Sequence, residues 1–159
     1  MSAFNSRSSA IVLCLALSNL ATAQALSPQD YESRKSQSAT EYQTAAQRCN
    51  SLSGNSKEIC MTEARSAEKN SRAELESSYR PTDKNIHQAR ITKAEGIYAV
   101  ARQHCHEVKG SARSTCMKDA KAVEKKAKKD ALAEMKSMDA SKAAPTNMKN
   151  ETYEKDIQK

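Results

Sequence analysis

Five cysteines are the most reactive side chains of this 159-residue chain, and four of them form two pairs with the same spacing. Ten residues separate Cys49 from Cys60, and ten separate Cys105 from Cys116. Thiol-redox enzymes typically use the much tighter Cys-x-x-Cys arrangement, so this spacing favours structural disulfides. We predict the bridges Cys49–Cys60 and Cys105–Cys116, each worth about 3 kcal/mol by the chain-entropy estimate.

The first 25 residues predict export to a compartment in which the thiols would be oxidised. Arg7 precedes the apolar run Ile11–Leu20, and small residues then offer cleavage after Ala23 or Ala25. This order predicts a signal peptide over residues 1–25. Its removal takes away Cys14 and leaves four cysteines, which favours disulfides in an exported chain. We expect the periplasm of a Gram-negative cell, with release outside the cell as the alternative.

A second cluster with ligand chemistry is His104-Cys105-His106. Imidazole and thiolate groups bind zinc or copper, which makes His104 and His106 metal-site candidates. Neighbouring positions on a helix point about 100° apart, however, and the other cysteine pair has Arg48 and Asn50 at these positions. We therefore favour a disulfide flanked by surface histidines and expect no metal.

No arrangement of residues predicts catalysis. The chain has three glycines and no glycine-rich phosphate loop, and no serine–histidine–aspartate triad can be assembled. We expect a protein that is not an enzyme and that uses no cofactor.

Positive charge concentrates in the second half of the chain. Residues 80–142 carry fifteen basic and eight acidic side chains, which equals the net charge of +7 of the whole sequence. Lysines recur there every three or four residues, which places them along one helix as candidates for anion binding: Lys118, Lys121, Lys125, Lys128, Lys129 and Lys136. The alternative is a solvated helix face. Few aromatic residues accompany the charge, so specific nucleic-acid binding is not expected.

The elements that position these residues repeat at an offset of 56. The block Tyr42–Lys69 returns as Tyr98–Lys125, including the cysteine pair and a glycine between its members, Gly54 or Gly110. Apolar and alanine positions follow helical spacing on both sides of each glycine. Each block therefore predicts two antiparallel helices with the glycine near the tip, where Gly54 and Gly110 are expected to end the first helix.

The composition limits the core. Tryptophan is absent and the one phenylalanine precedes the predicted cleavage site, so little apolar surface is available and disulfides must compensate. We predict an all-α chain of two tandem disulfide-clamped antiparallel hairpins, either a loose four-helix bundle or elongated. The expected divisions are residues 26–79 for the first hairpin, 80–142 for the second, basic hairpin, and 143–159 for a flexible tail.

The blocks Tyr42–Lys69 and Tyr98–Lys125 resemble those of a group of uncharacterised, exported, helical proteobacterial proteins, some of which carry the label cell envelope biogenesis, TolA-like. The resemblance implies an envelope protein and brings no catalytic residues. We expect an interaction scaffold or stress-type holdase whose partner is an envelope protein. The alternatives are binding of an anionic envelope lipid, lipopolysaccharide or cell-wall polymer, with peripheral membrane contact, and metal binding at His104 and His106.

Overall fold

The computed structural model describes residues 26–143, and within that range every regular element is helical. The predictions for residues 1–25 and for the tail beyond residue 143 lie outside this range. Four α-helices follow one another with short connections, and a single 3₁₀ turn, Cys105–Glu107, precedes the last. The helices are α1 (Pro28–Cys49), α2 (Gly54–Tyr79), α3 (Asp83–His104) and α4 (Gly110–Ala143). The all-α prediction is confirmed.

Local chemistry accounts for the ends of these helices. The Ser27 hydroxyl accepts a hydrogen bond from the Asp30 backbone N–H at 3.1 Å, and Pro28 occupies the first turn of α1, where it costs no hydrogen bond. Thr82 caps α3 in the same way, accepting from the Asn85 backbone N–H at 3.1 Å. Pro81 explains the end of α2, because a proline disfavours helical geometry in the residue before it.

The prediction that Gly54 and Gly110 end the first helix of each hairpin is wrong. Gly54 and Gly110 begin α2 and α4, whereas α1 already ends at Cys49. Both glycines have left-handed backbone angles, with φ of 57° and 59°, which residues with a Cβ rarely adopt. Nothing lies within 4 Å of where a Cβ would stand at either glycine. Conformation rather than space therefore requires glycine, and it turns the chain into the second helix of each hairpin.

Both predicted disulfides are confirmed. The Cα atoms of Cys49 and Cys60 are 5.6 Å apart, as are those of Cys105 and Cys116. Packed helices usually keep their axes about 8–10 Å apart, so each bridge holds a hairpin closed just below its tip. Cys49 and Cys105 are fully buried, which makes the disulfides the centre of what core each hairpin has.

The four helices form an open row. Extended interfaces join α1 to α2, α2 to α3 and α3 to α4, and no other pair of these four helices packs along its length within residues 26–143. The structure is therefore not a closed bundle, and it is not two hairpins joined only at Pro81 either, because α2 and α3 pack along their length. The hairpins lie side by side in one layer instead of closing into a bundle.

A glycine permits the contact between the two hairpins. A Cβ added at Gly96 of α3 would lie 3.2 Å from both Ser66 Cβ and Asn70 Nδ2 of α2, tighter than ordinary van der Waals contact. Near the disulfide end, the Asn55 side-chain amide donates to the Gln103 carbonyl at 3.2 Å. The second hairpin is thus docked against the first rather than tethered to it.

The buried interior is a thin line of mostly small residues along the seams between helices. Apart from the two buried cysteines, its apolar members are Ile59, Ala64, Leu75, Ala89, Ala94, Ala120 and Ala131. A single layer has no second layer to cover its faces. As a result Ile97, which the sequence places on an inner stripe, is 50% exposed, and Val123 is 57% exposed.

Candidate binding surfaces

An apolar face covers one side of α2, α3 and α4. One groove runs between α2 and α3 and two run between α3 and α4, and they meet at Ile97 and Ala101 of α3. The first groove encloses about 490 Å³ and is walled by Ala67 on α2 and by Ile97 and Val100 on α3. Val123 lines the groove on the α4 side. We call the surface lined by these three grooves the apolar face.

Carboxylates border the apolar face. Glu63 lines the groove between α2 and α3, and Asp119 lines a groove between α3 and α4. Both are exposed, and neither forms an ion pair within residues 26–143. In contrast, Arg90 and Glu134 pair directly across the α3–α4 seam. The unpaired charge at the rim of this face is therefore negative on α2 and at the start of α4, and positive at Lys93 of α3.

A separate groove of about 600 Å³ lies at the start of α4 and shares no residue with the apolar face. We call it the cationic groove, and its lining residues are Tyr98, Gly110, Arg113, Ser114, Met117, Lys118 and Lys121. The Lys121 ammonium stands 4.7 Å from the centre of the Tyr98 ring, within the range of cation–π attraction. No carboxylate of residues 26–143 lines this groove.

The structure divides the six candidate lysines into two groups. Lys121 and Lys128 turn toward α3 and are engaged in ion pairs with Glu124, and Lys128 also bonds Glu95 at 2.7 Å. The other four are exposed and form no ion pair among the described residues: Lys118, Lys125, Lys129 and Lys136.

These four lysines form what we call the lysine edge. Their intervals of 7, 4 and 7 residues place them within about 20° of one line on a helix that advances about 100° per residue. Lys129 is nine residues from the buried Ala120, half a revolution round the helix, so the line faces away from α3. The lysine edge spans about 27 Å along the open side of the row.

Glu124 is the one buried carboxylate of residues 26–143, 5% exposed. Lys121 donates to one of its oxygens at 2.7 Å, and Lys128 lies 2.9 Å from the other. These hydrogen bonds, Lys121 first, hold the pKa of Glu124 below its usual value. Hydrogen bonds to Glu95 and Glu124 raise the pKa of Lys128. This network is structural, since it ties α4 to α3.

The histidine cluster is not assembled into a metal centre within residues 26–143. Cys105 is engaged in its disulfide, and His104 Nδ1 lies 3.2 Å from Glu107 Oε2. His104 and His106 are both exposed, and no group of three metal-ligating side chains comes together in the described part of the chain.

The sequence named Lys118 and Lys121 as anion-binding candidates, but it did not point to Tyr98, Arg113 or Met117 as their neighbours in a groove. Tyr98 and Met117 have counterparts at the same positions of the first repeat, Tyr42 and Met61, so the repeat alone does not mark them as ligand-binding residues. The missed signal was the difference between repeats. Lys118 replaces Thr62, and Ser114 replaces Glu58.

None of the described helices has the length and apolar character needed to cross a membrane. Comparison of the whole chain with models of protein families, with curated proteins and with solved structures found no match.

Proposed function

We propose that this chain is a non-enzymatic binding protein of the bacterial cell envelope that holds apolar segments of other polypeptides on its apolar face, as a scaffold or stress-type holdase. The observation that carries the proposal is the half exposure of Ile97 and Val123 in adjoining grooves of a one-layer fold. Helices normally bury such residues against a second layer, and a bound segment would supply that layer.

The location rests on the disulfides. Two bridges indicate an oxidising compartment outside the cytoplasm. The periplasm is our proposal within that class, because the first 25 residues have the order of a signal peptide. The disulfides suit a holdase, since they keep each hairpin closed when no partner is bound to the apolar face.

The binding mechanism uses shallow contact rather than an enclosed pocket. An apolar segment laid between α2 and α3 would cover Ile97 and Val100, and each square ångström of apolar surface removed from water contributes about 25 cal/mol. Unpaired Glu63 and Asp119 at the rim would favour segments with basic flanks. Such contacts bind many sequences weakly, as holding an unfolded polypeptide requires.

The test is suppression of aggregation of thermally unfolded citrate synthase by the full mature chain. We expect light scattering to fall with added protein, and Ile97→Ser with Val123→Ser to remove most of that protection. Leu132→Ser is the matched control, because Leu132 is 40% exposed yet lines none of the three grooves. Equal protection by the double variant and the native chain would refute the proposal.

The lysine edge supports a second candidate function, binding of an extended anionic envelope polymer or membrane surface. Four lysines without ion pairs on one line would each release counterions on binding, so affinity should fall steeply with salt. Sedimentation with anionic vesicles at low salt tests it. We expect neutralisation of Lys125, Lys129 and Lys136 to glutamine to abolish binding.

The matched control neutralises three lysines elsewhere, Lys35, Lys69 and Lys84, for the same change in net charge. If both triple variants lose binding equally, net charge rather than the lysine edge is responsible. Binding that persists in the first variant would exclude the lysine edge.

A further inference from the structure

The cationic groove combines an aromatic ring, a thioether and three cations in one concave surface. Tyr98 and Met117 supply its apolar part, while Arg113, Lys118 and Lys121 supply its charge. The first turn of α4, from Gly110 to Arg113, forms one end of the groove. The unpaired backbone N–H groups of a helix start add partial positive charge there.

The cations are not equally available. Lys121 is already engaged with Glu124 at 2.7 Å and stands over the Tyr98 ring. Arg113 and Lys118 are exposed and form no ion pair among the described residues. A ligand anion would therefore meet one guanidinium and one ammonium without displacing an existing partner.

The pattern of these groups defines a ligand. A guanidinium binds two oxygens of a phosphate at once, and a lysine adds a point charge. Met117 and the part of the Tyr98 ring that Lys121 leaves uncovered offer an apolar platform beside that anion site, as ligand sites typically do. The apolar C–H face of a sugar ring would pack on the platform while its phosphate reaches Arg113 and Lys118. We propose that the cationic groove binds a phosphorylated sugar, either free or as the headgroup of a glycolipid.

The first repeat provides an internal comparison. Tyr42, Met61 and a glycine occupy the corresponding positions, and Lys57 and Arg65 stand where Arg113 and Lys121 stand. Two positions differ in a way that matters for anions. Glu58 introduces a negative charge where the second repeat has Ser114, and Thr62 lacks the charge of Lys118. The shared fold thus tolerates both sets of residues, and only the second set favours an anion.

This proposal goes beyond polypeptide binding and does not depend on it, because the groove and the apolar face share no residue. Lys118 also belongs to the lysine edge, so the experiment must separate the two. The variant with Lys125, Lys129 and Lys136 changed to glutamine leaves every residue of the groove in place.

The experiment is isothermal titration calorimetry of the full mature chain, with glucose 1-phosphate, glucose and inorganic phosphate added in separate titrations. We expect one site for glucose 1-phosphate, at least tenfold weaker binding of inorganic phosphate, and no binding of glucose. The paired change Ser114→Glu with Lys118→Thr gives the groove the residues of the first repeat. It should weaken binding at least tenfold, whereas the lysine-edge variant should bind as the native chain does.

A gain of binding is the complementary test. Glu58→Ser with Thr62→Lys gives the first repeat the residues of the second, and the number of sites per chain should rise from one to two. Helix content by circular dichroism and absence of free thiols verify that each variant is folded.

Vesicles containing a glycolipid with a diphosphorylated glucosamine headgroup, compared with vesicles of equal negative surface charge that carry no sugar, distinguish the two sources of ligand. A glycolipid headgroup is identified as the ligand if the chain binds these vesicles but not the free sugar phosphate. The Ser114→Glu with Lys118→Thr variant should then lose binding to the vesicles. Three results would overturn the proposal: no binding to either probe, binding that the groove variant leaves unchanged, or inorganic phosphate bound as tightly as the sugar phosphate.

Discussion

Ser38 and Ala94 occupy the same position of the two repeats, and both are only 3% exposed. The Ser38 hydroxyl has no hydrogen-bond partner among the described residues, and an unsatisfied buried polar group is destabilising. We expect Ser38→Ala to raise the free energy of unfolding by about 1 kcal/mol and Ala94→Ser to lower it by a similar amount. Urea denaturation measures both, and a loss of stability in Ser38→Ala would contradict the assignment.

Glu124 predicts how stability depends on pH. Its pKa is lowered in the folded protein, mainly by the hydrogen bond from Lys121, so its contribution is complete above the ordinary value of 4.5 and is lost as pH falls below that value. Glu124→Gln should cost about 1–2 kcal/mol at pH 7. The difference between native chain and variant should shrink below pH 4.5, and a difference that stays constant to pH 3 would exclude this role.

At the level of elements, the disulfides replace the core that the composition lacks. Each bridge closes a short loop and is expected to contribute about 3 kcal/mol. Removing either pair by alanine substitution should lower the free energy of unfolding by that amount, and reduction of both should cause substantial loss of helix by circular dichroism. Full helicity and an unchanged melting temperature after reduction would contradict this account.

The sequence was sufficient to predict the two helical hairpins and their disulfides. Paired cysteines at equal spacing, alanine stripes with a helical period and the Pro81 break are local signals, and local signals predict local structure. The positions of Gly54 and Gly110 were misjudged because a left-handed glycine can follow one helix or open the next. Only the structure, in which α1 ends at Cys49 and α2 begins at Gly54, decides between the two.

The arrangement of the whole molecule was beyond the sequence. Alanine-lined seams suit both a closed bundle and an open row, and the deciding contact involves Gly96 with Ser66 and Asn70, residues that carry no pattern of their own. The candidate sites follow from that choice. Ile97 would be part of the core in a closed bundle and is half exposed in the open row.

Spin labels at the exposed positions Thr40 of α1 and Lys129 of α4 test the open row. Three interhelical spacings of about 8–10 Å place the axes of the two helices about 24–30 Å apart, so we expect label distances of at least about 24 Å. In a closed bundle α1 and α4 would be neighbours at about 10 Å. Labels at Glu74 and Lys93, on the adjacent helices α2 and α3, are the control and should lie within about 20 Å. A short distance between Thr40 and Lys129 would rule out the row.

The contact between the two hairpins also bears on whether a further helix could pack against α4. The side of α2 that receives α3 carries Asn70, which approaches Gly96, and the equivalent position on α4 is Lys126. A fifth helix seated there, from another molecule for instance, would have to strip water from this ammonium group, which is unfavourable without compensating charge. Terminal units of helical arrays need such a hydrophilic outer side to stay soluble. The hydrophilic outer side of α4 would therefore disfavour the packing of further helices onto the row.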